Sequence, residues 1–167
     1  IFMWPGSEVP IDGRQATVWT PYSSKPTYYE RADWVIDAMT RPEAEIPELV
    51  MWYFEEPDAT MHTYGPESPQ AVAQAEHIDS VLRYFFREIR RSPVFERINF
   101  IVTADHETGG LVVVDGDEHT GRVTGVYVSD DHTPAMLPVF AYGPGADKFC
   151  GTYMNTEIAR RIKSLIK

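Results

Sequence analysis

Residues 98–107 read INFIVTADHE, an apolar and β-branched run that ends in an aspartate and a histidine. Ile98–Thr103 has the length and composition of a buried strand, and Asp105 and His106 follow it directly. In open α/β sheets, ligand-binding residues collect just beyond the carboxyl ends of the strands. The stretch therefore predicts a strand that delivers a carboxylate and an imidazole to a binding site.

A second strand and a long helix precede this stretch. Leu49–Phe54 (LVMWYF) is a short apolar run, and a helical stripe extends from Pro69 to about Arg91. Ser68 suits the N-cap of that helix, and Pro69 suits its first position. Strand, long helix and strand form a βαβ unit, which predicts parallel strands joined by a right-handed crossover.

The remaining segments agree with the α/β class. Turn residues and apolar spacing predict a short strand near Gln15–Trp19, helices at Tyr29–Met39 and Asn155–Ile166, a hairpin near 110–128 and a strand at Leu137–Tyr142. We therefore expect a mainly parallel sheet flanked by helices, with a β-hairpin insertion near residues 110–128. Residues 1–167 are expected to form a single domain or a fragment of one.

The composition of the chain disfavours two classes of binding partner. The formal net charge is −10, with only 15 Lys and Arg residues, which disfavours binding to a nucleic-acid backbone or an anionic membrane. No apolar run approaches the roughly 18 to 20 residues of a membrane span.

The one cysteine, Cys150, excludes an intrachain disulfide and a cysteine-based zinc site. The chain opens on IFMWPG, and we expect it to be a fragment or processed piece of something longer.

Five residues are candidate metal ligands. Asp58 and His62 are four apart in EEPDATMH, a spacing that turns both side chains toward one point on a helical turn or tight loop. Asp105 and His106 form the second group, and His132 in DDHTP is the fifth candidate. Two carboxylates and three imidazoles suit zinc or a similar divalent cation. The set indicates metal-assisted chemistry on an anionic substrate.

Other polar residues are weaker candidates. His77 lies inside the long predicted helix and is expected to be a surface or packing residue. His119 lies in the polar loop of the hairpin and is expected to be exposed to solvent. Glu55 and Glu56 either orient the ligands of a metal or form a solvated pair of charges.

Several motifs resemble those of one superfamily. Residues 54–68, FEEPDATMHTYGPES, are similar to the EEPDxxGHxxGP segment of the nucleotide pyrophosphatase/phosphodiesterases, which belong to the alkaline phosphatase superfamily. Residues 2–14, FMWPGSEVPIDGR, resemble the stretch just after the nucleophile region of those enzymes. Residues 101–113 and 132–146, with the tail at 153–162, are closer to alkaline phosphatases proper. The resemblance implies an alkaline phosphatase-like α/β fold.

The resemblance also implies a division of the candidate ligands between two zinc sites. Asp58, His62 and His132 would surround one zinc, and Asp105 and His106 would bind the second. In the family, the second metal also takes an aspartate and the Ser or Thr nucleophile. Both lie upstream of the WPGSE-like region, where this chain has no counterpart.

The chain departs from the family pattern in four respects. Met61 stands where the family has a glycine, and residues 105–108 read DHET in place of DHGM. Tyr53 occupies the position of the magnesium-binding glutamate of alkaline phosphatases, which favours a two-metal phosphodiesterase without a third site. No Ser or Thr occupies a matching nucleophile motif. Ser7 and Thr17 lie in a different sequence context.

The function implied for the parent enzyme is metal-dependent hydrolysis of phosphodiester or pyrophosphate bonds in nucleotide-like substrates. An alkaline-phosphatase-type phosphomonoesterase and a catalytically silent metal-binding fragment are the alternatives. The expected partners are a small-molecule phosphate ester or nucleotide and a missing N-terminal segment. An extracytoplasmic location, secreted or periplasmic, is suggested by the resemblance alone.

Overall fold

The helices begin and end close to the predicted positions. The computed structural model describes residues 1–166. Its helices are α1 (Tyr28–Met39), α2 (Asp58–Tyr64), α3 (Pro69–Glu88) and α4 (Thr156–Lys163), and its strands are β1 (Phe100–Val102), β2 (Val112–Asp117), β3 (Arg122–Val126) and β4 (Phe140–Tyr142). Short 3₁₀ helices occupy Glu43–Glu45, Ile89–Arg91, Phe95–Arg97 and Ala146–Phe149.

Local caps explain where the two long helices start. Before α1, Thr27 Oγ1 accepts from Glu30 N at 3.2 Å, and Thr27 N donates to Glu30 Oε2 at 2.7 Å. This reciprocal pair is a capping box, which gives hydrogen-bond acceptors to two backbone N–H groups at the start of the helix. Before α3, Ala71 N donates to Ser68 Oγ at 3.2 Å, so the predicted N-cap is confirmed.

The predicted hairpin is also confirmed. β2 and β3 pair antiparallel, from Val112 opposite Val126 to Asp117 opposite Arg122, with a shift of register between Val113 and Asp115. Every residue of both strands is exposed to solvent. The side chains of the hairpin strands therefore form no buried cluster.

The predicted parallel sheet is not seen within residues 1–166. β1 pairs with β4 in a two-stranded sheet, while the segment 49–54 makes only an isolated parallel bridge between Phe2 and Trp52. Met3 explains why that pairing stops, because its φ of 62° lies in the left-handed region and ends the extended conformation after Phe2. The strand expected near Gln15–Trp19 is likewise reduced to a bridge between Phe2 and Thr20.

The chain forms two compact units. The first comprises Ile1–Phe54, Ile78–Phe100 and the chain from Ala141 onward, and the second comprises Glu55–His77 and Ile101–Phe140. The core of the first unit is built from the apolar faces of α1 and of the second half of α3. Its buried members are Phe2, Tyr28, Ala32, Val35, Ile36, Ala38, Met39, Val81, Phe85 and Ile89. All five candidate ligands lie in the second unit.

None of the helices within residues 1–166 combines the length and the apolar character that crossing a membrane requires.

Candidate metal centre

Helix α2 brings the first two candidate ligands together. Asp58 is its first residue and His62 lies one turn later, so Asp58 Oδ1 and His62 Nε2 are 3.3 Å apart. The Glu56 carboxylate accepts from Thr60 N at 3.0 Å and thus caps the same helix. Gly65, with φ 91°, ends the helix after Tyr64. The short helix is therefore fixed at both ends around its two candidate ligands.

His132 completes a triangle with this pair. Its Nε2 lies 3.1 Å from Asp58 Oδ1 and 2.9 Å from His62 Nε2. The side chains of His62 and His132 are 38% and 40% exposed, so a small ligand can reach them from solvent. The structure thus brings together three candidates that come from two distant parts of the sequence.

His106 joins the same cluster through its ring. It stacks on His132 with ring centroids 3.6 Å apart, and Asp58, His106 and His132 each offer a ligand atom within 4.8 Å of the others. His106 Nδ1 lies 3.4 Å from the carbonyl oxygen of Glu107. Because a carbonyl oxygen only accepts hydrogen bonds, this contact favours a proton on Nδ1 and a free lone pair on Nε2.

Asp105 points its carboxylate toward its own neighbour. His106 N donates to Asp105 Oδ1 at 3.2 Å, and Asp105 Oδ2 lies 3.6 Å from His106 Nε2. Among the described residues, Asp105 belongs to neither of the two groups whose ligand atoms lie within 4.8 Å of one another. The assignment of Asp105 and His106 to a second metal stays a prediction.

Asp131 was not among the ligands predicted from the sequence. His62, Asp131 and His132 form the second group with ligand atoms within 4.8 Å. Asp131 Oδ1 also accepts from His132 N at 2.8 Å. Its position next to His132 in DDHTP was the available signal, since neighbouring acids commonly accompany a metal-binding histidine.

The carboxylate of Asp58 is held in its ionised form. Thr108 Oγ1 donates to Asp58 Oδ1 at 2.5 Å, from a side chain that is buried. Partial burial works to raise the pKa of Asp58, but the hydrogen bonds from Thr108 and His132 and the nearby charges of His62 and His106 outweigh it. The pKa of Asp58 therefore lies below its ordinary value, which suits a ligand for a cation.

Glu107 connects the segment after β1 to the segment around His132. Its Oε2 accepts from Gly110 N at 2.6 Å, and its Oε1 accepts from both the backbone N–H and the hydroxyl of Thr133. The hydroxyl of Thr133 is the main reason that the pKa of Glu107 is lowered. Neither Glu107 nor Thr108 was predicted from the sequence to be a site residue.

The two remaining histidines lie where they were expected. The side chain of His119 is 97% exposed in the turn of the hairpin. His77 is exposed on α3. Neither of them belongs to the groups of potential metal ligands found in residues 1–166.

The donor set fits a zinc-like cation. Four ligands at about 2.0 to 2.1 Å around tetrahedral zinc lie about 3.3 Å from one another. The observed sides of the triangle, 2.9, 3.1 and 3.3 Å, are close to that separation. Two imidazole nitrogens at 2.9 Å repel if both present lone pairs, so a proton or a cation must lie between them.

Comparison with known proteins identifies the family of this chain. The family model of type I phosphodiesterase/nucleotide pyrophosphatase matches residues 1–144. A venom phosphodiesterase from Macrovipera lebetinus is 32% identical over 105 residues, which are 63% of this chain and 12% of that protein. Ectonucleotide pyrophosphatase/phosphodiesterase family member 3 from Bos taurus is 30% identical over 105 residues, with the same coverage of 63% and 12%. The chain thus spans about an eighth of the length of these relatives.

Solved structures show the same relationship. Inactive murine ectonucleotide pyrophosphatase/phosphodiesterase 5 in complex with AMP aligns with a TM-score of 0.56 and 26% identity, over 69% of this chain and 35% of that one. A variant of the TAB5 alkaline phosphatase with Mg bound in the M3 site aligns with a TM-score of 0.50 and 24% identity, over 65% and 33% of the two chains, and this likeness concerns the fold alone. The fold is therefore of the alkaline phosphatase-like α/β class. With its family model matched over residues 1–144, the chain belongs to the type I phosphodiesterase/nucleotide pyrophosphatase family of the alkaline phosphatase superfamily.

Proposed function

We propose that this chain supplies metal ligands to the active site of a hydrolase that cleaves phosphodiester or pyrophosphate bonds in nucleotide-like substrates. The observation that carries the proposal is the triangle of Asp58 Oδ1, His62 Nε2 and His132 Nε2, with sides of 2.9 to 3.3 Å. Membership of the family and a murine relative solved with AMP support the reaction class and the nucleotide.

In this proposal Asp58, His62 and His132 hold one zinc ion, and Asp105 and His106 contribute to a second. The stacking of His106 on His132 supports a second set of ligands beside the first. Bound divalent cations would stabilise negative charge on the phosphoryl oxygens and orient the substrate. The lowered pKa of Asp58 keeps that carboxylate ionised, and the two imidazoles that face it would coordinate a metal through the lone pairs of their Nε2 atoms.

The proposal assigns no nucleophile to residues 1–167. In the family pattern, the Ser or Thr nucleophile and one further aspartate ligand precede the segment that resembles residues 2–14. We propose that the chain forms part of an alkaline phosphatase-like catalytic domain whose mainly parallel sheet includes β1 and residues 49–54. Association with a segment that carries the nucleophile would then complete the site.

The names of the relatives support the proposed location and partner of the parent protein. They are described as venom and ectonucleotide enzymes, which supports an extracytoplasmic location. The partner would be a small-molecule phosphate ester or nucleotide. A net charge of −10 disfavours nucleic-acid backbone as a partner.

Zinc binding tests the site directly. Competition between the 167-residue chain and a chromophoric chelator should give a measurable zinc affinity, and His132→Ala should weaken it about a hundredfold or more, because His132 belongs to both groups of ligand atoms. His119→Ala is the matched control, since its side chain is 97% exposed in the hairpin turn. Equal affinities for the two variants would contradict the proposed site.

Hydrolysis tests the assignment of the nucleophile. With zinc present, we expect negligible release of p-nitrophenol from p-nitrophenyl thymidine monophosphate by this chain alone, because nucleophilic catalysis needs an activated nucleophile held in place. Robust turnover that is lost in both His62→Ala and Asp105→Ala would show that a nucleophile lies within these residues. Faster turnover of p-nitrophenyl phosphate than of the diester would favour the phosphomonoesterase alternative.

A further inference from the structure

We propose that Glu107 and Thr108 are positioning residues, which fix the metal ligands that two other segments supply. The inference rests on the proposed metal site. The three segments are α2, which carries Asp58 and His62, residues 105–110, and the irregular stretch 127–139, which carries His132. Residues 105–110 make side-chain contacts with both of the others.

Thr108 holds the ligand on α2. Its hydroxyl donates at 2.5 Å to Asp58 Oδ1, the same oxygen that lies 3.1 and 3.3 Å from the two imidazole nitrogens. The side chain of Asp58 is 39% exposed at the start of a short helix, so surrounding atoms enclose it only in part. A hydrogen bond from a buried hydroxyl keeps Oδ1 turned toward His62 and His132.

Glu107 holds the segment that carries His132. No helix or strand is present in residues 127–139, so the orientation of His132 depends on contacts with other parts of the chain. Glu107 Oε1 accepts from Thr133 N at 2.5 Å and also from the Thr133 hydroxyl, and Thr133 directly follows His132. Glu107 Oε2 accepts from Gly110 N, which fixes the carboxylate itself.

Backbone hydrogen bonds set the register of the same two segments. Gly109 N donates to Asp131 O at 3.0 Å, and Gly109 O accepts from Val128 N and Ser129 N at 2.9 and 3.1 Å. Gly109 has a φ of 96°, and a Cβ there would lie 2.6 Å from Tyr127 Cδ1. The backbone therefore brings the segments into close contact, and the carboxylate of Glu107 then fixes the residue beside the ligand.

This arrangement has a consequence for metal affinity. Partners that orient metal ligands typically change affinity about 10- to 100-fold when they are removed. We expect Glu107→Gln and Thr108→Val each to weaken zinc binding about tenfold. Gln offers one acceptor oxygen and an NH₂ group, so it cannot accept from both Gly110 N and Thr133. Val matches the shape of Thr and lacks the hydroxyl.

The experiment compares zinc affinity and the visible spectrum of the Co²⁺-substituted chain among variants of the full 167 residues. Thr108→Ser keeps the hydroxyl and should restore the affinity of the unmodified chain. Glu118→Gln removes the same charge from the hairpin turn and should leave both readouts unchanged. A role confined to folding would change the melting temperature without changing the Co²⁺ spectrum.

Weaker zinc binding and an altered Co²⁺ spectrum in both variants, with rescue by Thr108→Ser, would support the inference. If the unmodified chain binds zinc and both variants bind it with the same affinity, the inference is overturned and the proposed metal site is retained. Absence of zinc binding by the unmodified chain would overturn the proposed site and the inference together. If Thr108→Val does not fold, Glu107→Gln decides by the same criteria.

Discussion

The two units of the chain bury different kinds of side chain. Within residues 1–166, every buried aliphatic, aromatic or methionine side chain except those of Pro66 and Ala71 belongs to the first unit, and Val81 and Ile89 there are fully buried. In the second unit the buried polar residues are Thr60 and Thr108, while the valines of the hairpin are exposed. The first unit is thus held mainly by apolar packing and the second mainly by hydrogen bonds between loops.

This difference indicates how each unit responds to change. The stabilisation that comes from burying apolar surface is roughly proportional to the buried area, and it does not depend on a bound ligand. The second unit holds both groups of potential metal ligands found in residues 1–166, and these groups include the carboxylates of Asp58 and Asp131. A cation bound there should therefore stabilise the second unit much more than the first.

The largest expected effect comes from the core of the first unit. Ile89→Ala should lower the free energy of unfolding by about 2 to 5 kcal/mol, because it removes a fully buried side chain and leaves a cavity. Val113→Ala in the hairpin is the control, since Val113 is 61% exposed and should change stability by less than about 0.5 kcal/mol. Urea unfolding measures both, and equal losses would contradict the proposed contrast between the units.

Zinc should have the next largest effect. At about 100 times its dissociation constant, a ligand that binds only the folded state stabilises it by about 2.7 kcal/mol. Hydrogen exchange should show added protection in residues 55–65, 105–110 and 128–133 rather than in α1, and EDTA should reverse it. Equal protection of α1 would remove the distinction between the units, and an unchanged melting temperature would count against the site.

The smallest effect is expected at the start of α1. Thr27→Ala removes the side-chain half of the capping box and should cost about 1 kcal/mol, whereas Ser24→Ala nearby should have no measurable effect. Hydrogen bonds from the backbone and hydroxyl of Thr27 lower the pKa of Glu30, so its contribution is present above the unfolded pKa of a glutamate and is lost as the pH falls through the folded value. Stability measured from pH 6 to pH 3 should therefore fall less steeply in Thr27→Ala.

Much of the fold could be predicted because helix signals are local. Ser68 and Pro69 mark the start of α3 by their own chemistry, and the observed cap follows from it. The apolar run at 49–54 carries no such information, because a strand exists only where a partner continues beside it. The φ of Met3 ends that partner after Phe2, and nothing in the sequence announces a left-handed methionine.

The candidate site likewise has one part that the sequence predicts and one part that it does not. The four-residue spacing of Asp58 and His62 predicts their proximity on one helical turn, and the helix places them as expected. The contacts of Thr108 with Asp58 and of Glu107 with Thr133 join residues 50 and 26 positions apart. Such contacts depend on the paths of irregular loops, which no periodicity encodes, so only the tertiary structure identifies them.

The triangle of Asp58, His62 and His132 also has a consequence for the order of folding. One side forms within a turn of helix, but His132 closes it from 70 and 74 residues away along the chain. Closing long loops costs entropy before any contact is gained, whereas helices and hairpins form in microseconds or less. We therefore expect the triangle to be among the last features to assemble, so that high affinity for a cation reports that residues 58–132 have completed their folding.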